Sequence, residues 1–292
     1  MARVFLAPAK INLYLAVGEV RADGFHEIDT AMQTVSLADR LSFEATAGGG
    51  IEVACDAPGV PSGAANLAAR ALALLQQRWG VTTGMRLRIE KAIPIQSGLG
   101  GGSSDAAAAL VAANRIWDLA LGPEALEALA AEIGSDVPFF VRGGLQRCRG
   151  RGEKLSPLDP LPDSLWAIVK PPWGLPTADV YRAFVPGLTS HEPSLSMTLG
   201  QIAKRDPAGL ARTRFNDLES AAQRVRPEAA QVRSLMVSLG LSGVTLAGSG
   251  SAWNGLCSGL EVGERVRAEA AARGWAAFLV RPVRGGLTEI VD

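Results

Sequence analysis

Pro94-Ile95-Gln96-Ser97-Gly98-Leu99-Gly100-Gly101-Gly102-Ser103-Ser104-Asp105 runs directly into the alanine-rich segment Ala106 to Ala113. Four glycines in five positions let the backbone turn at positive φ and remove the side chains that would hold a ligand away from the amides. Ser103 and Ser104 are both good N-caps, so a helix is expected to start at one of them. Its first amides and positive dipole end would then point back into the loop, where an anion such as phosphate is favoured. A mobile glycine turn capped by serine is the bland alternative. Asp105 suits the dipole but would repel a phosphate beside it; it either points away or meets a metal or a hydroxyl.

Upstream, Met85-Arg86-Leu87-Arg88-Ile89-Glu90-Lys91 alternates apolar and charged residues as a half-buried strand does, giving the order strand, glycine loop, helix. No Gly-Lys-Ser/Thr follows the glycines, which excludes a Walker A loop, and Ser103 stands where the third glycine of a dinucleotide fingerprint belongs. Pro123 to Ile133 reads as helix rather than strand, so the βαβ unit of a Rossmann site is missing as well.

The remaining chain reads as α+β. Val4 to Leu6 and Ile11 to Val20 are expected as two short strands, with another near Met32 to Leu37. Ala64 to Trp79 is expected as a helix stopped by Gly80, and further helices over Ser104 to Trp117 and Pro123 to Ile133. Leu155-Ser156-Pro157-Leu158-Asp159-Pro160-Leu161-Pro162 resists regular structure and marks the expected linker between domains over residues 1–155 and 156–292. Beyond it, Leu165 to Val169, Gly243 to Ala247 and Ala276 to Val283 read as strands. Asp179 to Phe184, Glu228 to Leu239 and Val262 to Arg273 read as helices.

At 292 residues and 48% hydrophobic content, the chain can fill two cores of ordinary size. Lys+Arg and Asp+Glu each number 29, so no global field draws it to nucleic acid or an anionic membrane. The basic run Arg147 to Lys154 lacks interleaved aromatics and reads as a solvated loop rather than an RNA site. Cys55, Cys148 and Cys257 lie far apart without metal-ligand spacing, as expected of reduced packing thiols. With no long apolar segment at the N-terminus or elsewhere, a soluble, unexported, cytoplasmic protein is expected. Nothing in the sequence specifies an oligomeric state.

Several residues could carry chemistry. Lysine is scarce, which makes Lys10 in Pro8-Ala9-Lys10-Ile11-Asn12 conspicuous: it is either a snorkelling surface residue or a partly buried ammonium with an anionic partner. Asp136 precedes Val137-Pro138-Phe139-Phe140, where burial would raise its pKa unless a cation such as Lys10 lowers it again; a turn or N-cap role is the alternative. His26, in the turn Gly24-Phe25-His26-Glu27, and His191, in a polar stretch, have no partner at metal-ligand spacing. Leu246-Ala247-Gly248-Ser249-Gly250-Ser251 is a second glycine turn, either a plain turn or a second wall of the phosphate site. It is not a hydrolase elbow.

Taken in order, Pro8 to Asn12, Pro94 to Ser104 and Gly248 to Gly250 resemble the three motifs of the GHMP small-molecule kinase superfamily. Within it, Ala7 to Leu13, Arg21-Ala22-Asp23-Gly24-Phe25-His26, Ile133 to Phe140 and Phe215-Asn216-Asp217-Leu218-Glu219 are similar to the branch that acts on a cytidine-diphosphate-linked methylerythritol. The resemblance spans nearly the whole chain. It implies a two-domain GHMP kinase-like fold with the active site in the cleft between the domains. The implied activity is ATP- and Mg²⁺-dependent phosphorylation of that acceptor's tertiary 2-hydroxyl, in the non-mevalonate route to isoprenoid precursors. A homoserine- or mevalonate-type kinase, or a non-catalytic nucleotide-binding module, are the rival readings.

By the same resemblance, Asp136 would be the base and Lys10 its charged partner. Pro94, Ser97, Gly98, Leu99, Gly100, Gly101, Gly102, Ser103 and Ser104 would hold the ATP phosphates, with Asn66 and Lys91 near the adenine. Asn12 and His26 would hold the acceptor, His26 at the cytosine, between the rings of Phe25 and Tyr181. Thr177, Gly248 and Ser249 would complete that side. Many relatives carry tyrosine where Phe25 stands, so a hydroxyl is lost while the stacking face remains. No side chain is expected to hold a resident metal.

Overall fold

The computed structural model describes residues 2–187 and 193–290; His191 lies outside them. The first sheet is built on two long antiparallel strands, β1 (Arg3–Val20) and β2 (His26–Thr46). β3 (Ile51–Cys55) and β4 (Gly84–Glu90) extend it beyond β2, while β5 (Leu145–Gly150) and β6 (Lys154–Pro157) form a hairpin on the other half of β2. The second sheet is antiparallel and contains β7 (Trp166–Lys170), β9 (Ser242–Leu246), β10 (Trp253–Leu256) and β11 (Ala276–Val280), in the order β11-β7-β10-β9. Two short strands from the later chain, β8 (Phe215–Asn216) and β12 (Thr288–Ile290), pair with β1. The expected division at 155/156 thus falls inside β6, and the later half returns twice to the first sheet.

Helices α1 (Leu67–Trp79), α2 (Gly101–Ile116), α3 (Pro123–Ile133) and α4 (Val137–Arg142) cover one face of the first sheet. The small residues Ala106 to Ala109, Ala112 and Ala113 let α2 approach Phe5, Met32, Leu41 and Phe43 closely in that core. The second sheet packs with α5 (Thr177–Ala183), α6 (Leu195–Ala203), α7 (Pro207–Arg212), α8 (Leu218–Val225), α9 (Ala229–Ser238) and α10 (Leu260–Ala271). No described helix is long and apolar enough to cross a membrane.

The two short strands expected at the N-terminus are one continuous strand. The register of β1 against β2 shifts between Pro8 and Ala9, and the alternation of faces reverses there. Phe5 and Ala7 point into the helix-covered core, whereas Ala9, Ile11 and Leu13 point the other way, onto Trp166 and Ile168 of the second sheet. Lys10 and Asn12, at the intervening positions, are thereby aimed to the helix side, which is what a bulge beside a functional site does.

Two further expectations change. α2 begins at Gly101, before either serine, because Gly100 sits in the left-handed region at φ 77° and its carbonyl accepts the Ser104 N–H at 2.9 Å. Ser103 and Ser104 lie within the first turn instead of capping it. The basic run is the β5–β6 hairpin and not a solvated loop; Arg147 pairs with Asp29 through two bonds of 2.9 and 2.7 Å.

Candidate active site

The glycine loop, the start of β1 and the second glycine turn meet at one point. The Lys10 N–H donates to the Leu99 carbonyl at 3.0 Å, and the Ala252 N–H donates to the Ser97 carbonyl at 3.0 Å. Gly98, at φ 76°, lies so close to the second turn that an added Cβ would overlap the Ala247 carbonyl oxygen and sit 2.9 Å from the Gly250 nitrogen. At Gly100 a Cβ would meet the Phe140 ring at 2.6 Å and the Lys10 stem at 3.2 Å. These glycines are therefore required both for φ and for close approach. Ser97 shapes the loop locally: its hydroxyl donates to the Pro94 carbonyl at 2.6 Å and accepts from the Leu99 N–H at 3.3 Å.

Asn12 joins the parts. Its Oδ1 accepts from Lys10 Nζ at 2.8 Å and from the Gly248 N–H at 2.9 Å, while its Nδ2 donates to Thr30 Oγ1 at 3.0 Å. All are buried, so each bond satisfies a group that would otherwise be costly. Lys10 Nζ also stands 3.9 Å from Asp136 Oδ2. Burial pulls the Lys10 pKa below its ordinary value, and the nearby Asp136 carboxylate opposes that shift. Asp136 precedes α4 but makes no capping bond, and a third of its side chain reaches solvent.

These groups line one cavity of about 1080 Å³. It contains Lys10, Asn12 and Asp136, loop residues Pro94, Ser97, Gly98 and Gly100 to Ser103, then Asn66 and Lys91 at one side and Phe25, His26, Thr177, Tyr181, Gly248 and Ser249 at another. Of the expected loop residues, Leu99 and Ser104 are buried behind the loop and do not line it. The side chain of Asn66 is largely spent on α1, its Oδ1 accepting from Ala68 and Ala69 and its Nδ2 donating to the Pro61 carbonyl. The Lys91 ammonium is engaged with two carboxylates, Asp39 and Asp105.

At the other side, His26 donates from Nδ1 to the Gly18 carbonyl at 2.9 Å, which in the neutral ring leaves Nε2 as an acceptor. Its ring lies 5.5 Å from Tyr181 and edge-on to Phe184 at 5.7 Å. Tyr181 is held neutral, since burial and the Asp136 charge both raise its pKa. Phe25 is 48% exposed, with the Arg151 guanidinium 5.2 Å over its ring. The Thr177 and Ser249 hydroxyls bond each other at 3.0 Å.

Sequence reasoning missed Asp39 and Arg151. Asp39 shares the inward register of Leu41 and Phe43 on β2, and a carboxylate in that register was the available signal. Arg151 was absorbed into the basic run. Asp105, left between alternatives, bonds Lys91 at 2.8 Å and lines the cavity beside the loop.

A glycine loop against a helix N-terminus, a lysine–aspartate pair and a cleft between two sheets define a small-molecule kinase of the GHMP class. Residues 66–144 match the family described as GHMP kinases N terminal domain. The 4-diphosphocytidyl-2-C-methyl-D-erythritol kinase of Pelotomaculum thermopropionicum is 44% identical over 263 residues, covering 90% of this chain and 92% of its own. The chain belongs to the 4-diphosphocytidyl-2-C-methyl-D-erythritol kinase family. A crystal structure of a 4-(cytidine 5'-diphospho)-2C-methyl-D-erythritol kinase superposes with a TM-score of 0.80 at 38% identity, covering 98% of this chain and all of the other. A homoserine kinase from Cytophaga hutchinsonii has a TM-score of 0.79 at 17% identity, covering 99% and 97% of the two chains, a likeness of fold alone.

Proposed function

We propose that this protein transfers the γ-phosphoryl group of ATP to the 2-hydroxyl of 4-diphosphocytidyl-2-C-methyl-D-erythritol, in the cytoplasm, on the non-mevalonate route to isoprenoid precursors. The observation that carries this reading is the Lys10–Asp136 pair at 3.9 Å in a cavity that has the glycine loop on one side and the His26–Tyr181 ring pair on another.

In this reading, bare amides from Gly98 to Gly102 and the N-terminus of α2 hold the ATP phosphates. Phosphoryl transfer needs mainly positioning and charge neutralisation, with a base at the attacking hydroxyl. Asp136 accepts that proton, and Lys10, fixed by Asn12, balances the carboxylate and the developing phosphate charge. Among the described residues no three His, Cys, Asp or Glu side chains form a metal cage. A Mg²⁺ carried in on the ATP phosphates would neutralise their charge when bound. The Nε2 acceptor of His26 suits the cytosine amino group, and Phe25 and Tyr181 offer faces for the base. Asn66 and Lys91 flank the adenine end; Thr177, Gly248 and Ser249 close the acceptor side.

Acceptor-dependent ADP release tests the proposal with the cytidine-linked methylerythritol, homoserine and mevalonate supplied in parallel. Turnover with the first alone is expected. Turnover only with another acceptor, or nucleotide binding without turnover, refutes it.

A further inference from the structure

Beside the glycine loop, at the edge of the same cavity, Lys91 sits between Asp39 and Asp105, one cation for two buried carboxylates. The two acids are not equivalent. Asp39 Oδ2 takes the Lys91 ammonium, and its Oδ1 accepts from the Ala92 and Ile93 N–H groups at 2.7 and 2.8 Å, so both oxygens are satisfied as an anion. Asp105 Oδ2 takes Lys91 at 2.8 Å, while its Oδ1 is buried with no hydrogen-bond partner. An ionised carboxylate with a bare buried oxygen is costly; a neutral acid in the same place is much less so.

We propose that Asp105 is the member of this triad that carries a proton, and that its neutral form keeps a negative charge from standing beside the ATP phosphates. Asp105 is thereby a positioning residue for nucleotide binding, acting through the loop helix. The charge count is then balanced, with Lys91 positive, Asp39 negative and Asp105 neutral. Burial, with the Asp39 charge adding to it, pushes the Asp105 pKa up to about 7 against the opposing pull of Lys91. Among the described residues, Asp56 accepts from the Lys91 N–H at 3.0 Å; on α1, Arg70 is exposed and Arg78 pairs outward with Glu132, on α4 Arg142 pairs with Glu127, on α2 Arg115 pairs with Glu289, and on β1 Lys10 is held by Asn12 and Asp136.

The nucleotide part of this inference rests on reading the glycine loop as the ATP site, and the test separates the two. Difference infrared spectra of the wild-type protein and D105N are expected to show a carboxylic-acid carbonyl band at about pH 6 that D105N lacks. MgADP affinity is measured by calorimetry from about pH 6 to about pH 8.5, where Asp105 would ionise and its charge would weaken wild-type binding at least about threefold relative to D105N. D105N serves as the control for titration of the nucleotide itself. Absence of the band, or a wild-type to D105N affinity ratio that stays constant with pH, overturns the proposal. If the band is present and neither protein binds MgADP, the proton assignment stands and the ATP reading of the loop falls.

Discussion

Gly98→Ala is the sharpest single test of how the two sheets meet. The residue has φ 76°, and a Cβ there would overlap the Ala247 carbonyl oxygen, 2.8 Å from the Ala247 carbon and 2.9 Å from the Gly250 nitrogen. All three are backbone atoms, so no side-chain rotation relieves the overlap. Holding alanine in the left-handed region costs about 1–2 kcal/mol, and forcing an atom into a packed contact costs about 1–3 kcal/mol more. The sum, about 2–5 kcal/mol, is a large part of a typical total of about 5–15 kcal/mol.

Urea unfolding followed by tryptophan fluorescence reads this directly, since Trp166 and Trp253 are fully buried in the second sheet. At a slope of about 3 kcal/mol/M, the midpoint is expected to fall by about 1 M. Gly102→Ala is the matched control. Gly102 lies in α2, outside the left-handed region, and the nearest atom to its added Cβ is Leu67 Cδ1 at 3.9 Å. That change should raise stability by about 0.5–1 kcal/mol through helix propensity. A Gly98→Ala protein with the wild-type midpoint, or equal losses in both variants, would refute the argument from backbone contact.

Asp136→Asn is expected to lower kcat by roughly 10²–10⁴ with nucleotide affinity preserved, the usual effect of removing a general base; near-normal turnover would remove Asp136 from that role. Asn12→Ala strips one acceptor from both Lys10 Nζ and the Gly248 N–H, and at about 1–3 kcal/mol for each buried group left unpaired it should lower both the urea midpoint and kcat. A variant that loses only one of these would break the link between them. Glu219 is pushed up to about 7 by burial, against an ordinary 4.5. The unfolded chain therefore releases its proton first, and the stability contribution is full below about pH 4.5 and lost as pH rises to about 7. Glu219→Gln, which keeps an acceptor for the Leu246 N–H, should flatten that decline in thermal midpoints; an unchanged pH profile would refute the assignment.

Local chemistry made some elements readable to the residue. α3 runs from Pro123 to Ile133 as expected, because Pro123 is preorganised for the first helical position and Gly134 follows the last apolar contact. α1 ends at Gly80, whose φ of 62° a side-chain-bearing residue would resist. The start of α2 was misplaced because serine caps and a left-handed glycine are competing signals, and the glycine prevailed at Gly100. What could not be read locally is long-range pairing. Nothing around Phe215 or Thr288 announces that β8 and β12 will join β1. The partnership of Asp39 with Lys91, 52 positions apart, likewise exists only once β2 and β4 are side by side.

The break in the N-terminal alternation is the most informative of these cases. Pro8, Ala9 and Lys10 interrupt the apolar pattern, and two short strands are the natural reading of such an interruption. The chain instead continues as one strand and reverses its faces at the register shift. Had the alternation of Phe5 and Ala7 continued, Ala9 and Ile11 would have entered the helix-covered core, and Lys10 would have been driven against Trp166 and Ile168. The reversal places Ile11 and Leu13 in the contact between the sheets and Lys10 and Asn12 on the cavity in the same few residues. The apolar pattern after Pro8 and the charged pair at Asp136 are therefore one requirement: the packing that joins the two sheets is also what aims the lysine.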